Sequence, residues 1–205
     1  MPIPFLLIGG IAVVCSTAGF FAYKKTDLFR TKQKINLAVL GLKGSGKTTL
    51  QNYLRNDNKR GSTPLSMVNA PEVRIVRGKK IIIIKEGFDV SGNDESIRHQ
   101  YEELVKENDH IIFTVDSSKL QNNDEYAKEN RGLLNKINKI LEQTKDNKKV
   151  LLLGSHKDQL NQEIDFDDAK LLNYFNGINN SISQTFLVNL TSQKDLKNLK
   201  KSLFA

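Results

Sequence analysis

One short segment near the amino terminus constrains the fold more than any other part of the chain. The apolar run Ile35–Leu40 predicts a buried strand, and the turn after it, from Gly41 to Thr48, has the spacing G-x-x-x-x-G-K-T. Glycines let several backbone N–H groups converge on an anion, and the helix predicted from Lys47 to Arg55 directs its positive end at the same point. The segment therefore predicts an α/β fold with a phosphate-binding loop at the carboxyl end of a strand.

The residues of this loop divide between phosphate and metal binding. We expect the backbone of the turn to hold the phosphates, Lys47 to reach the terminal phosphates, and the Thr48 hydroxyl to bind Mg²⁺. The candidate binding residues are Gly41, Gly44, Ser45, Gly46, Lys47, Thr48 and Thr49. The loop alone does not choose between ATP and GTP.

A second motif comes after a predicted β-hairpin, whose strands are residues 72–77 and 81–84. After the hairpin stands Asp89-Val90-Ser91-Gly92. An aspartate just beyond a strand can hold Mg²⁺ through water, and a glycine three residues later can bring its N–H group to a γ-phosphate. Asp89 is therefore a candidate metal residue and Gly92 a candidate phosphate residue.

From residue 89 onward the chain resembles the ADP-ribosylation-factor-like branch of the Ras-like small GTPases. The run Asp89–Asn93 resembles the second switch of that branch, and Ile111–Ser117 resembles its fourth strand with an acidic-serine ending. After the buried strand Val150–Gly154, the run Ser155–Asp158 stands where the family keeps its guanine-reading N-K-x-D motif. Phe186–Ser192 resembles the last strand and the Thr191-Ser192 element that supports the base. The resemblance covers residues 35–203.

The resemblance implies a P-loop NTPase fold: a doubly wound, mostly parallel sheet with helices on both faces and the ligand at the carboxyl ends of the strands. It also implies GTP and GDP as ligands, Mg²⁺ as the metal, and a slow GTPase that acts as a molecular switch toward a protein partner. Asp158 would accept two N–H groups of guanine, which adenine cannot supply. Ser155 and His156 replace the Asn and Lys that the family uses beside it.

Two further departures concern hydrolysis. Asn93 stands where the family has a glutamine that orients the attacking water, and Ser91 replaces a glycine. Because the Asn93 amide is one methylene shorter, we expect very slow intrinsic turnover.

The first switch should present a hydroxyl to Mg²⁺; Thr63, which precedes Pro64, and Ser66 both qualify. The catalytic candidates are thus Lys47, Thr63 and Asn93.

Two other functions stay open. Ser91 and Asn93 also suit a docking subunit that is gated by GTP without significant hydrolysis. Ser155 and His156 leave room for an ATP-binding P-loop protein. Nucleic acid is not an expected ligand, because the basic residues are not interleaved with aromatic side chains.

The first 34 residues differ in character from the rest. Residues 3–23 contain no charge, and 21 residues of helix would span about 30 Å, the thickness of a bilayer core. The five basic residues at 24–34, offset by one acid, form half of the net charge of +8 and, by the positive-inside rule, favour a cytoplasmic location for the remainder of the chain. We therefore expect an anchor at 1–23, a basic linker at 24–34 and a GTPase-like domain at 35–205.

A cleaved signal peptide is the alternative interpretation of this segment, but a basic region before the apolar run is missing. The layout resembles that of the signal recognition particle receptor beta subunit and of membrane-tethered prokaryotic relatives. It implies a single-pass protein of the endoplasmic reticulum in a eukaryote or of the inner membrane in a bacterium. A single cysteine, Cys15, excludes an internal disulfide.

Overall fold

The fold was obtained as a computed structural model of the 205-residue chain. It describes residues 32–54, 68–69, 73–77, 80–84, 88–89, 95–144, 148–161 and 165–203. The predicted anchor at 3–23 lies outside the described residues, as do Thr63, Ser66, Gly92 and Asn93. In the part of the chain that is described, no helix has the length and apolar character needed to cross a membrane.

Nine strands and six α-helices are found in these ranges. The strands are β1 (Lys32–Ile35), β2 (Leu37–Gly41), β3 (Val68–Asn69), β4 (Val73–Arg77), β5 (Lys80–Ile84), β6 (Phe88–Asp89), β7 (His110–Asp116), β8 (Lys149–Ser155) and β9 (Ile182–Leu187). The helices are α1 (Lys47–Leu54), α2 (Glu95–Glu107), α3 (Ser117–Asn122), α4 (Asp124–Thr144), α5 (Asp168–Asn173) and α6 (Gln193–Leu203), and a short 3₁₀ turn covers Lys157–Gln159.

The chain forms two compact units. The smaller one contains the predicted hairpin strands β4 and β5, which lie in a three-stranded sheet of order β1-β5-β4. The larger one contains the six helices and a six-stranded sheet of order β3-β6-β2-β7-β8-β9. The predicted hairpin strands are thus confirmed as neighbours in the three-stranded sheet.

The six-stranded sheet is mostly parallel, as the sequence predicts. The strands β6, β2, β7, β8 and β9 run parallel, and only the edge strand β3 is antiparallel to its neighbour. The strand order reverses at β2, because the chain goes from β2 to β6 on one side and then back to β7 on the other. Right-handed crossovers therefore place α1 and α2 on opposite faces of the sheet, and the crevice beside β2 is where such folds bind ligands.

The core lies around the central strands β7 and β8, in which consecutive side chains are buried. Phe113 on β7 is completely buried and meets the ring of Phe175 edge to face, with 6.0 Å between ring centroids. Leu134 and Ile137 on α4, one turn apart, are also completely buried. Two adjacent strands with continuous apolar runs require cover on both faces, and this burial fixes the register of the strands whose ends carry the site.

Two element boundaries differ from the sequence prediction. The strand predicted at 35–40 is divided at Asn36, whose carbonyl oxygen accepts from the N–H groups of Asp109 and His110, both at 3.0 Å. The last strand, expected from Phe186, already begins at Ile182 and ends at Leu187. The chain turns after it because the Asn189 side chain accepts from the Thr191 N–H group at 2.8 Å.

Candidate functional site

The parallel strands of the large sheet bring the separate sequence motifs to one edge. Gly41 at the end of β2 pairs with Thr114 of β7, and Asp116 at the end of β7 pairs with Ser155 at the end of β8. On the other side of β2, Asp89 at the end of β6 pairs with Val39. The candidate metal residue and the guanine-motif positions therefore flank the glycine-rich turn at the carboxyl edge of the sheet.

The turn at 41–46 needs its glycines for conformation and for space. Gly41, Gly44 and Gly46 have φ values of +147°, +79° and +87°, which side chains disfavour. A Cβ at Gly41 would lie 2.1 Å from the backbone oxygen of Thr114, and one at Gly46 would lie 2.5 Å from Leu190 Cδ1. The backbone therefore runs close to β7 on one side and to the loop after β9 on the other.

Lys47 folds back over the turn instead of extending into solvent. Its side chain is buried, and its Nζ donates to the carbonyl oxygen of Leu42 at 2.8 Å. The Ser45 N–H group bonds to the same oxygen at 3.2 Å. An ammonium group held across the mouth of a glycine-rich turn is placed to meet an anion bound there.

The donors that remain suit a polyphosphate. Among the hydrogen bonds of the described residues, none uses the N–H groups of Gly44, Gly46 or Thr48. Gly44 and Gly46 precede α1, and Thr48 lies in its first turn, where backbone N–H groups have no partner within the helix. Thr48 is half-buried and Thr49 is exposed on the first turn. The residues present in the turn therefore fit a phosphate group.

A buried hydrogen-bond network supports the turn from below. Ser45 Oγ and Thr114 Oγ1 lie 2.8 Å apart, and Thr114 Oγ1 donates to the carbonyl oxygen of Leu40 at 3.0 Å. From α2, the buried Tyr101 hydroxyl donates to the carbonyl oxygen of Gly41 at 3.0 Å. These bonds fix the start of the loop to β7 and α2.

Asp116 organises the next loop, although the sequence assigns it no role. One carboxylate oxygen accepts from the N–H groups of Ser118 and Lys119, at 3.1 and 3.2 Å, and thereby caps α3. The other lies 3.5 Å from Lys119 Nζ and 3.7 Å from His156 Nδ1. The Asp116 N–H group bonds to the Tyr126 hydroxyl at 2.9 Å, and burial raises the pKa of that phenol to about 12.

Ser155 and His156 are turned toward protein groups. The completely buried Ser155 hydroxyl donates to the carbonyl oxygen of Val115 at 3.1 Å and lies 2.5 Å from His156 Nδ1. His156 adopts a left-handed backbone conformation, with φ of 58°. A Cβ at Gly46 would be 3.3 Å from Ser155 Cβ, so this loop contacts the glycine-rich turn directly.

The remaining guanine-motif candidates lie on two short neighbouring segments. Asp158 is exposed within the 3₁₀ turn. The Lys157 N–H group, at 3.4 Å from the Val188 carbonyl oxygen, links this turn to the segment that carries the exposed Thr191 and the half-buried Ser192. Ser192 Oγ in turn accepts from the Asp195 N–H group at 3.3 Å and begins α6. The structure thus brings the two predicted base-binding segments together.

Comparison with known proteins decides the family. The model of the ADP-ribosylation factor family matches residues 22–204. The chain belongs to this family. An ADP-ribosylation factor-like protein of Dictyostelium discoideum is 30% identical over 174 residues, which are 82% of this chain and 88% of that protein.

Other family members match over shorter stretches. ADP-ribosylation factor-like protein 13B of Chlamydomonas reinhardtii is 34% identical over 89 residues, covering 43% of this chain and only 16% of that protein. In fold, the chain is similar to the Arl6 small GTPase of Trypanosoma brucei, whose structure contains the nucleotide analogue GppNp. The TM-score is 0.64 at 17% identity, over 83% of this chain and 95% of that one.

Three residues of the site were not predicted from the sequence: Tyr101 as the support of Gly41, Asp116 as the helix cap, and Lys119 beside the turn. An aspartate followed by two serines at a strand end is a cap signal, so Asp116 could have been recognised. The contacts of Tyr101 and Lys119 depend on tertiary packing, which no local pattern encodes.

Proposed function

We propose that this chain is a membrane-anchored, GTP-binding molecular switch with slow hydrolysis. One observation carries the proposal: the glycine-rich turn with its buried lysine is in contact with the Ser155–Asp158 loop. Phosphate-binding and base-reading groups are then within the span of one nucleotide. Membership in the ADP-ribosylation factor family supports GTP and GDP as the ligands and Mg²⁺ as the metal.

Each candidate residue has a role in this proposal. The turn and Thr49 at the start of α1 bind the phosphates, with Lys47 neutralising their charge, and Gly92 meets a third phosphate when one is present. Asp158 reads the base, while Ser155, His156, Thr191 and Ser192 shape its surroundings. Thr48, Asp89 and Thr63 hold Mg²⁺, which when bound neutralises charge on the phosphate oxygens.

Binding is tested with the full chain in a non-ionic detergent, because of the apolar run at 3–23. A fluorescent GDP analogue is displaced by GTP, GDP or ATP in the presence of Mg²⁺. The proposal expects GTP and GDP to compete and ATP to fail even at 100-fold excess. Equal competition by ATP would remove the guanine assignment and favour the ATP-binding alternative that Ser155 and His156 motivate.

Hydrolysis is tested by single-turnover phosphate release from saturating Mg²⁺-GTP. We expect a very slow unaided rate and an increase in the Asn93→Gln variant, because the longer amide restores the usual water-orienting residue. A fast wild-type rate, or an unchanged rate in the variant, would contradict the assignment of Asn93. No release at all in either protein would favour a docking subunit that binds GTP without hydrolysing it.

The proposal also gives the domain arrangement and location. The apolar residues 1–23 anchor the chain, 24–34 form a basic linker and 35–205 form the G domain on the cytoplasmic side. Residues near 63 and 93 present a nucleotide-dependent surface to a protein effector or receptor subunit. Protease protection tests the topology in vesicles sealed with their cytoplasmic face outward, where external protease should digest the G domain. A G domain that survives until detergent is added would lie on the other side of the membrane and contradict the proposal.

A further inference from the structure

Beside the glycine-rich turn lies an ammonium group that the sequence motifs do not include. Lys119 Nζ would be 3.1 Å from a Cβ placed on Gly44. Gly44 stands at a position that the loop motif leaves free, so the motif spacing itself does not demand a glycine there. Its positive φ and the approach of Lys119 both explain why no side chain is present.

Two contacts, with Asp116 and with Tyr126, direct the Lys119 side chain toward Gly44. Nζ lies 3.5 Å from Asp116 Oδ2 and 5.6 Å from the centre of the Tyr126 ring. Asp116 is nearly completely buried and is itself fixed as the cap of α3. A cation that pairs with a rigid, buried carboxylate loses little additional freedom when it meets a ligand.

His156 stands where the family pattern has a lysine, but its side chain faces other groups of the protein. Its Nδ1 lies 2.5 Å from Ser155 Oγ and 3.7 Å from Asp116 Oδ2. The next residue, Lys157, is exposed and lies near Asp168, where it opposes the rise that burial imposes on the pKa of that carboxyl. Among the residues that the structure describes, the group within 4 Å of a Cβ at Gly44 is the ammonium group of Lys119.

We infer that Lys119 replaces the missing lysine of the guanine motif as a nucleotide-positioning residue. Reaching from α3 instead of from the loop after β8, it holds the glycine-rich turn against the Asp116 cluster. It also adds a second positive charge, beside that of Lys47, for the phosphates. The inference rests on the proposed function, because it concerns the same nucleotide site.

The test measures GDP affinity of the full chain by displacement of a fluorescent GDP analogue. Lys119→Met removes the charge, and Lys128→Met is the matched control, a lysine on the surface of α4. Because the Lys119 side chain is 49% exposed, we expect its loss to weaken GDP binding roughly 5- to 30-fold. The control should bind GDP as wild type does.

A rescue variant separates nucleotide positioning from a merely structural contact with Asp116. In Lys119→Met/His156→Lys the lysine returns to the position that the family pattern gives it, so GDP affinity should recover to within about threefold of wild type. Lys119→Gln, which keeps a hydrogen-bond donor for Asp116 but no charge, should reproduce the weaker binding even if the Met variant misfolds.

Unchanged affinity in Lys119→Met and Lys119→Gln would overturn the inference while leaving the proposed function in place. The inference would also be wrong if the double variant bound GDP as weakly as Lys119→Met alone. If the wild-type chain bound no guanine nucleotide, both the proposed function and the inference would fail.

Discussion

The hydroxyl of Tyr101 offers a sharp test of how the phosphate-binding turn is held. It is buried and donates to the carbonyl oxygen of Gly41 at 3.0 Å. Tyr101→Phe removes that donor and keeps the ring. Leaving a buried carbonyl with less hydrogen bonding costs about 1 to 2 kcal/mol in the free energy of unfolding. For a domain of this size that corresponds to a fall of roughly 3 to 6 °C in Tm.

The effect on nucleotide affinity should be smaller than the effect on stability. The turn is also fixed from β7 through Ser45 and Thr114, so most of it keeps its position without the tyrosine hydroxyl. If the entire loss of about 1 to 2 kcal/mol appeared in binding, GDP affinity would fall about 5- to 30-fold, because about 1.4 kcal/mol is a factor of ten. We therefore expect a loss of less than about tenfold.

Chemical denaturation and GDP titration of the full chain provide the two measurements. Tyr53→Phe is the control: Tyr53 is half-buried, its ring lies 5.6 Å below Lys200 Nζ, and this contact survives the change. The reasoning would be refuted if Tyr101→Phe unfolded at the same denaturant concentration as wild type. It would also be refuted by a loss of affinity above about 100-fold with unchanged stability.

Three further predictions concern single groups. The phenol of Tyr126 should titrate near pH 12 when followed by its absorbance. Because the pKa is raised in the folded protein, the contribution of this group to stability should be complete below pH 10 and lost as the pH rises toward 12. A difference titration between wild type and Tyr126→Phe that is centred at pH 10 would disprove this. Gly46→Ala should lower the free energy of unfolding by about 2 to 4 kcal/mol, because Gly46 has a positive φ and a Cβ there would meet Leu190. A variant as stable as wild type in denaturant would contradict the described turn. Asp158→Asn should weaken GDP binding and favour the xanthine nucleotide, because the second carbonyl of xanthine accepts a hydrogen bond from the new amide. Asp124→Asn, a change at an exposed aspartate, is the control. Unchanged GDP affinity in Asp158→Asn would show that the base binds elsewhere.

The elements around the site could be predicted because local patterns determine them. The glycine-rich turn needs positive φ at fixed positions, and the adjoining short apolar runs indicate buried strands. The predicted helix after the turn is confirmed to Leu54. The mostly parallel sheet also agrees with the sequence-based expectation, since consecutive parallel strands require the crossover helices that the periodicity indicates.

Other features could not be predicted because they depend on contacts between distant residues. The break of the first strand at Asn36 is set by hydrogen bonds to Asp109 and His110, more than 70 positions away. The position of Lys119 beside Gly44 results from the packing of α3 after β7. The roles given to Thr63, Gly92 and Asn93, and the anchor at 1–23, stay predictions, since these residues lie outside the described ranges.

The central claim, a guanine nucleotide bound in the 41–48 turn, is tested most directly by the nucleotide content of the purified full chain. The protein is isolated in Mg²⁺, denatured with acid, and the released nucleotide is identified by chromatography and mass spectrometry. We predict GDP or GTP at close to one equivalent per chain. Recovery of an empty protein whose Tm neither GDP nor GTP raises, or of a protein loaded with an adenine nucleotide, would contradict the claim.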